Sequence, residues 1–256
     1  MDKELTPIFG RPGSKSRLRK IIYRLMPDDF KTFVEPFIGG GAVYLGYKFK
    51  DGQKAVINDI DKQLMGAWRL MKKGFKINES DWTSTDIPTL QRWADMSPKS
   101  DAQRFIKYLV QSRNTFGQMG RGKIATGTPL APRLKKLPDM KEKLKNTTLL
   151  SEGVYSVINK YDKAGNFFYF DPPYEASVKE KQKIYKNEEF DFPKFAARLK
   201  KMKSKWMLSI NDSKNIRELF KGFKMKGLTV KPKSNSSVEA GGIGTKARKE
   251  LIIMNY

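Results

Sequence analysis

The residues best suited to chemistry are Asp171, Pro172, Pro173 and Tyr174, which follow the apolar run NFFYF (166–170). A proline fixes φ and has no N–H, so the carbonyl of Pro172 points in a defined direction. This carbonyl and the carboxylate of Asp171 form a pair of acceptors that matches the two hydrogens of a planar exocyclic amino group. Tyr174 offers a flat face on which a nucleobase can stack. The alternative is a strand-ending turn with a buried tyrosine.

A second candidate site combines glycines with an acid. VEPFIGGGAVYLG (34–46) places Phe37, Gly39 and Gly41 at a predicted turn from strand to helix, where glycine lets the backbone approach a ligand closely. The spacing F-x-G-x-G is not the full dinucleotide fingerprint, and a turn without a ligand explains it equally well. Asp59 ends the next predicted strand, where an acid can accept hydrogen bonds from both ribose hydroxyls or cap a helix. Together these residues indicate a ligand that contains adenosine.

The composition points to a polyanionic partner. Lys and Arg number 51 against 27 Asp and Glu, which gives a formal charge of +24. Lysines and arginines that neutralise phosphates release counterions, so this excess favours nucleic acid over a merely basic surface. The 256 residues include no Cys and no His, which excludes disulfides, Ser-His-Asp chemistry and methylation at cytosine C5 through a Cys nucleophile. No apolar run approaches the roughly 20 residues of a membrane span, and no signal peptide is visible, so we expect an intracellular protein.

The order of apolar runs predicts an α/β fold with a mostly parallel sheet that a terminal antiparallel hairpin closes. Seven runs are predicted to be strands: 31–37, 54–59, 147–151, 166–170, 205–212, 228–232 and 249–256. The pattern divides the chain into a cofactor-binding part (1–74), an inserted region (75–146) and a catalytic part (147–256). The insert is predicted to contain a helix at 101–114, followed by a long basic loop at 115–139 that has no periodicity.

At this point the sequence resembles a known family, the Dam-like DNA adenine-N6 methyltransferases that use S-adenosylmethionine. The family's E-P-F-x-G-x-G stands here as residues 35–41, its D-P-P-Y as residues 171–174, and its leading P-G-[GS]-K as residues 12–15. The cofactor motif precedes the variable region, which precedes the catalytic motif, as in the alpha arrangement of amino methyltransferases. The resemblance covers most of the chain except its centre, and it implies a Rossmann-like methyltransferase fold with a seven-stranded sheet and an inserted target-recognition region.

The resemblance also implies roles for single residues. Tyr174 would stack on the target adenine, which would be flipped out of double-stranded DNA, and Asp171 and Pro172 would accept its amino hydrogens. The segment 149–158 would border the adenine ring of the cofactor, and no metal would be needed. The implied cofactor-binding residues are Lys15, Glu35, Phe37, Gly39, Gly41, Asp59 and Asp171, of which Phe37 and the two glycines would line the methionine part and Asp59 would hold the ribose.

Candidate DNA contacts lie in SRNTFGQMGRGK (112–123) of the insert. Side chains that can read base edges are Arg113, Asn114 and Gln118, and side chains that suit phosphates are Arg121 and Lys123. The alternative is that all of them contact only phosphates or solvent. The charged run at 177–190 resembles the family's loop over the catalytic pocket. We expect a monomer or a weak dimer.

Two departures from the family are visible. The residue before P-G-x-K is Arg11. The family has Trp or Tyr at this position, and that aromatic ring lies against one side of the cofactor. Near the end of the insert, TGTPLAPRL (126–134) lacks the P-F-G element of the enzymes that read GATC, so GATC specificity does not carry over.

The sequence is also compatible with functions other than DNA adenine methylation. Cytosine-N4 enzymes more often have Ser at the position of Asp171 and glutamine enzymes have Asn, so the aspartate favours adenine, in DNA or in RNA. A different class of protein is also compatible with the sequence, namely a DNA-binding protein with a decayed methylase core. The recognition sequence and any partner restriction enzyme are not predicted.

Overall fold

Short apolar runs form the strands of one seven-stranded sheet. The computed structural model describes residues 5–11, 13–77, 82–83, 86–115, 122–174, 190–230 and 247–256. The strands are β1 (Thr32–Glu35), β2 (Lys54–Asn58), β3 (Thr147–Leu150), β4 (Asn166–Phe170), β5 (Lys205–Asn211), β6 (Lys224–Val230) and β7 (Arg248–Met254). Each lies within or overlaps one of the seven predicted runs.

The strand order is β3-β2-β1-β4-β5-β7-β6. β4 pairs in parallel with β1 and with β5, and β2 pairs in parallel with β3. β7 runs antiparallel to both of its neighbours, β5 and β6. The side chains from Phe167 to Phe170 are fully buried, as expected for a strand covered on both faces. The predicted α/β fold, with a mostly parallel sheet and a terminal antiparallel hairpin, is confirmed.

Several helices begin at a side-chain cap. They are α1 (Arg19–Leu25), α2 (Ala42–Gly46), α3 (Lys62–Lys73), α4 (Ile87–Asp95), α5 (Asp101–Asn114), α6 (Ala131–Leu134), α7 (Leu137–Leu144), α8 (Val154–Tyr161), α9 (Phe192–Lys200) and α10 (Lys214–Leu219), with a short 3-10 turn at Lys15–Arg17. Asp61 caps α3, which ends at Gly74, and Asp191 caps α9 as predicted. α5 has the predicted bounds.

The prediction of an unstructured loop at 115–139 is partly wrong, because this segment contains α6 and the start of α7. Pro132 and Pro138 are typical of loops when only the sequence is considered. Each lies in the first turn of a helix, where a proline costs no hydrogen bond. α7 contacts α3. The Tyr44 hydroxyl of α2 donates to the carbonyl of Lys143, at 2.8 Å, so this end of the insert packs on the core.

The chain divides into two units, each with its own core. The first unit comprises residues 1–26 and 37–157, and its core includes a cluster of rings around Phe9, which contacts Trp68, Phe105 and Tyr108 edge-on or tilted. The second comprises residues 27–36 and 158–256, and Trp206 of β5 packs there against Phe220 and Phe223. No helix among the described residues has the length and apolarity to cross a bilayer.

Candidate active site

The glycine turn lies in the first unit, immediately before α2. Gly39 and Gly41 adopt positive φ values of 47° and 71°, a conformation that side-chain-bearing residues rarely tolerate. The Trp68 indole of α3 supports this turn: its N–H donates to the Gly39 carbonyl at 3.2 Å. A Cβ at Gly41 would lie only 2.7 Å from the same ring, so that position has no room for a side chain. At Gly39 a Cβ would meet nothing within 4 Å, so the backbone there is open to a ligand.

Asp59 lies beside this turn, at the end of β2. One carboxylate oxygen accepts from the backbone N–H of Gly39 at 3.1 Å and the other from the backbone N–H of Asp61 at 3.0 Å. Burial raises the pKa of Asp59 above its ordinary value, while these two hydrogen bonds and the charge of Arg11 act in the opposite direction. The structure therefore brings together three predicted cofactor residues of the first unit: Gly39, Gly41 and Asp59.

Arg11 fills the position where the related family has an aromatic ring, and its charge is matched by an acid. Its guanidinium donates to the carboxylate of Asp61 and, at 2.6 Å, to the hydroxyl of Tyr108 in α5. Asp61 also caps α3 through Gln63 and Leu64. Arg11 thus connects the leading segment, the acid that follows Asp59 and a helix of the insert.

Lys15 and Phe37 occupy two further predicted positions in the first unit. Lys15 is buried, and its ammonium donates to the Gly13 carbonyl at 3.1 Å. Phe37 is half-buried directly before the glycine turn. Ile60 was not among the predicted site residues, and its side chain is 71% exposed between Asp59 and Asp61. The available signal in the sequence is an apolar residue between two acids.

The D-P-P-Y motif, predicted to be catalytic, lies in the second unit, at the carboxyl ends of two parallel strands. β1 ends at Glu35, which is buried, and β4 is followed by Asp171. Val34 pairs with Phe168, so both acids leave the sheet at the same edge. Asp171 is half-buried, Pro172 is buried and Pro173 is exposed.

The ring of Tyr174 is held through its hydroxyl, which donates to the carboxylate of Glu250 in β7. Tyr169 lies one strand position before Phe170 and is fully buried. Burial raises the pKa of Tyr169 far above its ordinary value, and the negative charges of Asp171, Glu35 and Glu250 raise it further. Three carboxylates of this unit therefore lie near one buried hydroxyl at this edge of the sheet.

The residues predicted to contact DNA have different environments. Asn114 is completely buried, and its amide nitrogen donates to the carbonyls of Thr126 and Thr128 at 2.7 and 3.2 Å. It ties the following loop to the end of α5, so the prediction that Asn114 reads a base edge is corrected: its donors are used within the protein. Gln118 and Arg121 lie outside the described residues.

Arg113 and Lys123 remain available to a ligand. Lys123 is exposed, and Arg113 is half-buried, with an Nε–H that has no acceptor within the described part of the chain. Burial and then the charge of Arg133 in α6 lower the pKa of Arg113. Two guanidinium groups near each other are an arrangement that a phosphate would stabilise.

The two sets of residues differ in their chemistry. The first unit offers backbone groups at a glycine turn and a carboxylate suited to ribose hydroxyls, while the second offers acceptors for amino hydrogens beside an aromatic ring. Within the described ranges, no group of three acidic residues is arranged to hold a metal ion.

Comparison with known proteins agrees with this chemistry. Curated relatives align over nearly their whole length. The Type II methyltransferase M1.LlaDCHI of Lactococcus lactis subsp. cremoris is 27% identical over 283 residues, covering 98% of this chain and 96% of the relative. The Type II methyltransferase M.MjaIII of Methanocaldococcus jannaschii is 25% identical, covering 99% and 100%. The Type II methyltransferase M.CviBI of Paramecium bursaria Chlorella virus NC1A is 23% identical, covering 98% and 100%.

The family model for D12 class N6 adenine-specific DNA methyltransferases matches most of the chain, at residues 12–91 and 94–232. The match includes the glycine turn, Asp59 and the D-P-P-Y motif, and it favours adenine in DNA over the other functions considered. S-adenosylmethionine is the methyl donor of such enzymes. The chain belongs to the D12 class of N6 adenine-specific DNA methyltransferases.

Proposed function

We propose that Asp171 and the carbonyl of Pro172 activate the amino group of a flipped adenine in double-stranded DNA. The adenine amino nitrogen is a poor nucleophile because its lone pair is delocalised into the ring. Two acceptors that bind its two hydrogens draw the nitrogen toward tetrahedral geometry and free the lone pair. They also stabilise the positive charge that develops on the nitrogen, which is an interaction made mainly in the transition state.

The observation that carries this proposal is the placement of Asp171 directly after β4, with Pro172 buried and Glu35 at the same edge. The prolines restrict the backbone, so the carboxylate and the carbonyl are positioned before the substrate binds. The nearby carboxylates add negative potential where positive charge develops. Tyr174 would stack on the base and offset part of the few kcal/mol that unstacking costs.

The residues of the first unit fit S-adenosylmethionine, which supplies an electrophilic methyl group on a sulfonium. In this proposal Asp59 accepts hydrogen bonds from the ribose hydroxyls and Ile60 covers the adenine ring. Phe37, Gly39 and Gly41 border the methionine part, and Lys15 lies in the leading motif beside them. The open backbone at Gly39 and the exposed apolar side chain of Ile60 support this assignment.

We assign target recognition to the insert at 75–146 and phosphate contacts to Arg113, Arg133 and Lys123. The excess of basic residues and the mutual proximity of two arginines support this role. Asn114 is left out because its amide is already bonded within the protein. We place the reaction in the cytoplasm, with the enzyme acting as a monomer or a weak dimer.

The test uses purified protein, S-adenosylmethionine with a labelled methyl group and unmethylated duplex DNA, followed by digestion to nucleosides and mass spectrometry. The wild type should form labelled N6-methyladenine. Asp171→Ala should form none while its affinity for S-adenosylmethionine changes by less than about fivefold, because the acceptor acts mainly in the transition state. Asp139→Ala changes an exposed acid of α7 and should behave as the wild type. Full activity of Asp171→Ala would refute the mechanism.

A further inference from the structure

Glu250 is a buried carboxylate that has no role in the mechanism above. It lies in β7, is 4% exposed and pairs with Asn211, the last residue of β5. Because β7 runs antiparallel to β5, the beginning of β7 lies at the edge of the sheet where β4 and β5 end. An acid from the last strand is therefore brought to the edge that carries Asp171.

At this edge the Tyr174 hydroxyl donates a hydrogen bond to Oε1 of Glu250. A tyrosine side chain has two rotatable torsions, so its ring plane is not fixed by the backbone alone. Pro172 and Pro173 restrict the chain that leads into Tyr174, and the bond to Glu250 restrains the far end of the ring. A hydrogen bond to a carboxylate is about twice as strong as one between neutral groups. Both ends of Tyr174 are thus held.

The acid at position 250 adds a further carboxylate to this edge of the sheet. Glu35, Asp171 and Glu250 all act on the buried Tyr169, and like charges that share a buried environment destabilise a fold. A glutamine could accept the same hydrogen bond from Tyr174 without adding charge. What the carboxylate adds is a stronger restraint on the ring.

We propose that Glu250 is a positioning residue that holds the ring of Tyr174 in the orientation in which it stacks on the target adenine. Glu250 acts through the tyrosine and does not itself contact the reacting atoms. The inference rests on the proposed function, in which Tyr174 is the stacking residue. It extends the active site to β7, which lies outside the D-P-P-Y motif.

The test compares Glu250→Leu, Glu250→Gln, Tyr174→Phe and the double variant Glu250→Leu/Tyr174→Phe. Single-turnover methyl transfer should slow about tenfold in Glu250→Leu and in Tyr174→Phe, the effect of losing one charge-assisted hydrogen bond. The double variant should be no slower than the slower single variant, because both changes remove the same restraint. Glu250→Gln should recover part of the rate, and all four should bind S-adenosylmethionine within about twofold of the wild type.

A second readout reports on the base itself. The target sequence is first mapped from the positions at which the wild-type enzyme forms N6-methyladenine in DNA. A duplex is then made in which 2-aminopurine replaces the target adenine. Stacking on Tyr174 should quench the fluorescence of the flipped 2-aminopurine, and Glu250→Leu and Tyr174→Phe should relieve that quenching. A residue that only stabilises the fold would leave this signal unchanged in the folded variant. Glu142→Gln, which changes an exposed acid of α7, is the control.

Wild-type rates and quenching in Glu250→Leu would overturn the proposal, and so would additive effects in the double variant. If Glu250→Leu does not fold, Tyr174→Phe decides, because it removes only the hydroxyl: a wild-type rate there would also overturn the proposal. Asp171→Ala is measured in parallel. Activity of Asp171→Ala would refute the proposed function, whereas an inactive Asp171→Ala with wild-type Glu250→Leu and Tyr174→Phe would refute the positioning role alone.

Discussion

The carboxylate of Asp59 accepts a hydrogen bond of 3.1 Å from the backbone N–H of Gly39. This bond joins the glycine turn to the end of β2, where Asp59 lies. Gly39 donates while it adopts a positive φ of 47°, and its carbonyl is held by the Trp68 indole. The glycine turn and the acid are therefore positioned by the same few contacts, and a change at one is expected to affect the other.

Substitution of Gly41 by alanine should destabilise the first unit. The new Cβ would come within 2.7 Å of the Trp68 ring at a φ of 71°. Left-handed strain and overpacking together should lower the free energy of unfolding by roughly 2 to 5 kcal/mol. Gly122→Ala has a similar φ of 89° but meets nothing within 4 Å, and should cost only about 1 to 2 kcal/mol. Urea unfolding without S-adenosylmethionine measures both, and equal losses would contradict a role for Trp68.

Acidification should weaken binding of S-adenosylmethionine through Asp59. Burial raises the pKa of this carboxyl above the ordinary 3.8, and protonation removes an acceptor for a ribose hydroxyl. Affinity should therefore fall as the pH drops through a midpoint above 3.8. Arg11 lowers this pKa by its positive charge, so Arg11→Met should move the midpoint to higher pH. Calorimetric titration across pH measures the midpoint, and Asp59→Asn is the control, with weak binding that does not change with pH in this range.

The same pKa has the opposite effect on the stability of the protein without ligand. A carboxyl whose pKa is raised by folding binds a proton more readily in the folded than in the unfolded state. Its contribution to the free energy of unfolding is therefore largest at acid pH and is lost as the pH rises through the raised pKa. The free energy of unfolding is measured against pH for the wild type and for Asp59→Asn. The difference between the two curves isolates this contribution. A difference that grows with pH would mean that the pKa of Asp59 is depressed.

Truncation of Ile60 should weaken cofactor binding with little effect on folding. Its side chain is 71% exposed, so Ile60→Ala removes little apolar area from the core. If the adenine ring covers this side chain, the loss of about 1 to 2 kcal/mol of apolar burial should raise the Kd of S-adenosylmethionine roughly five- to thirtyfold. Ile87→Ala, at another exposed isoleucine, is the matched control. An unchanged Kd in Ile60→Ala would place the adenine elsewhere.

Removal of Arg113 or Arg133 should weaken DNA binding in a manner that depends on salt. Each charge that contacts a phosphate contributes about one counterion, so each Ala variant should reduce the slope of log affinity against log salt by about one. Arg104 lies in the same helix, α5, and is already paired with Asp101, so Arg104→Ala is the control and should change the slope less. Fluorescence anisotropy of labelled duplex DNA at several salt concentrations provides the slopes. Slopes equal to the wild type in both variants would remove these arginines from the interface.

Local motifs predicted the parts of the site that depend on local geometry. The positions of Asp59, Gly39 and Asp171 could be predicted because strand ends and turns are set by the local sequence. The fold was predictable for a similar reason, since short apolar runs separated by helical segments determine a parallel sheet. The roles proposed for these residues stay predictions until they are tested.

The parts that could not be predicted depend on contacts between residues distant in sequence. Arg11 was recognised as a departure, but its partners Asp61 and Tyr108 are far along the chain. In the sequence, Glu250 looks like an ordinary polar residue of a terminal strand. Its contact with Tyr174 depends on the antiparallel pairing of β7, which the local sequence does not show. The sequence predicts a DNA contact at Asn114 because this amide lies in a basic segment. Nothing in the local sequence indicates that the amide already donates to neighbouring carbonyls.

The pairing of β1 with β4 has a consequence for synthesis on the ribosome. Thr32 pairs with Asn166, so β1 emerges long before β4, one of its two neighbours in the sheet, exists. At translation rates of about 5 to 20 residues per second, this wait lasts on the order of ten seconds. Meanwhile the apolar side chains of Phe33 and Val34, which are fully buried in the finished fold, lack the strand against which they will pack. We expect the nascent chain to be most vulnerable to aggregation, and most dependent on chaperones, in this interval.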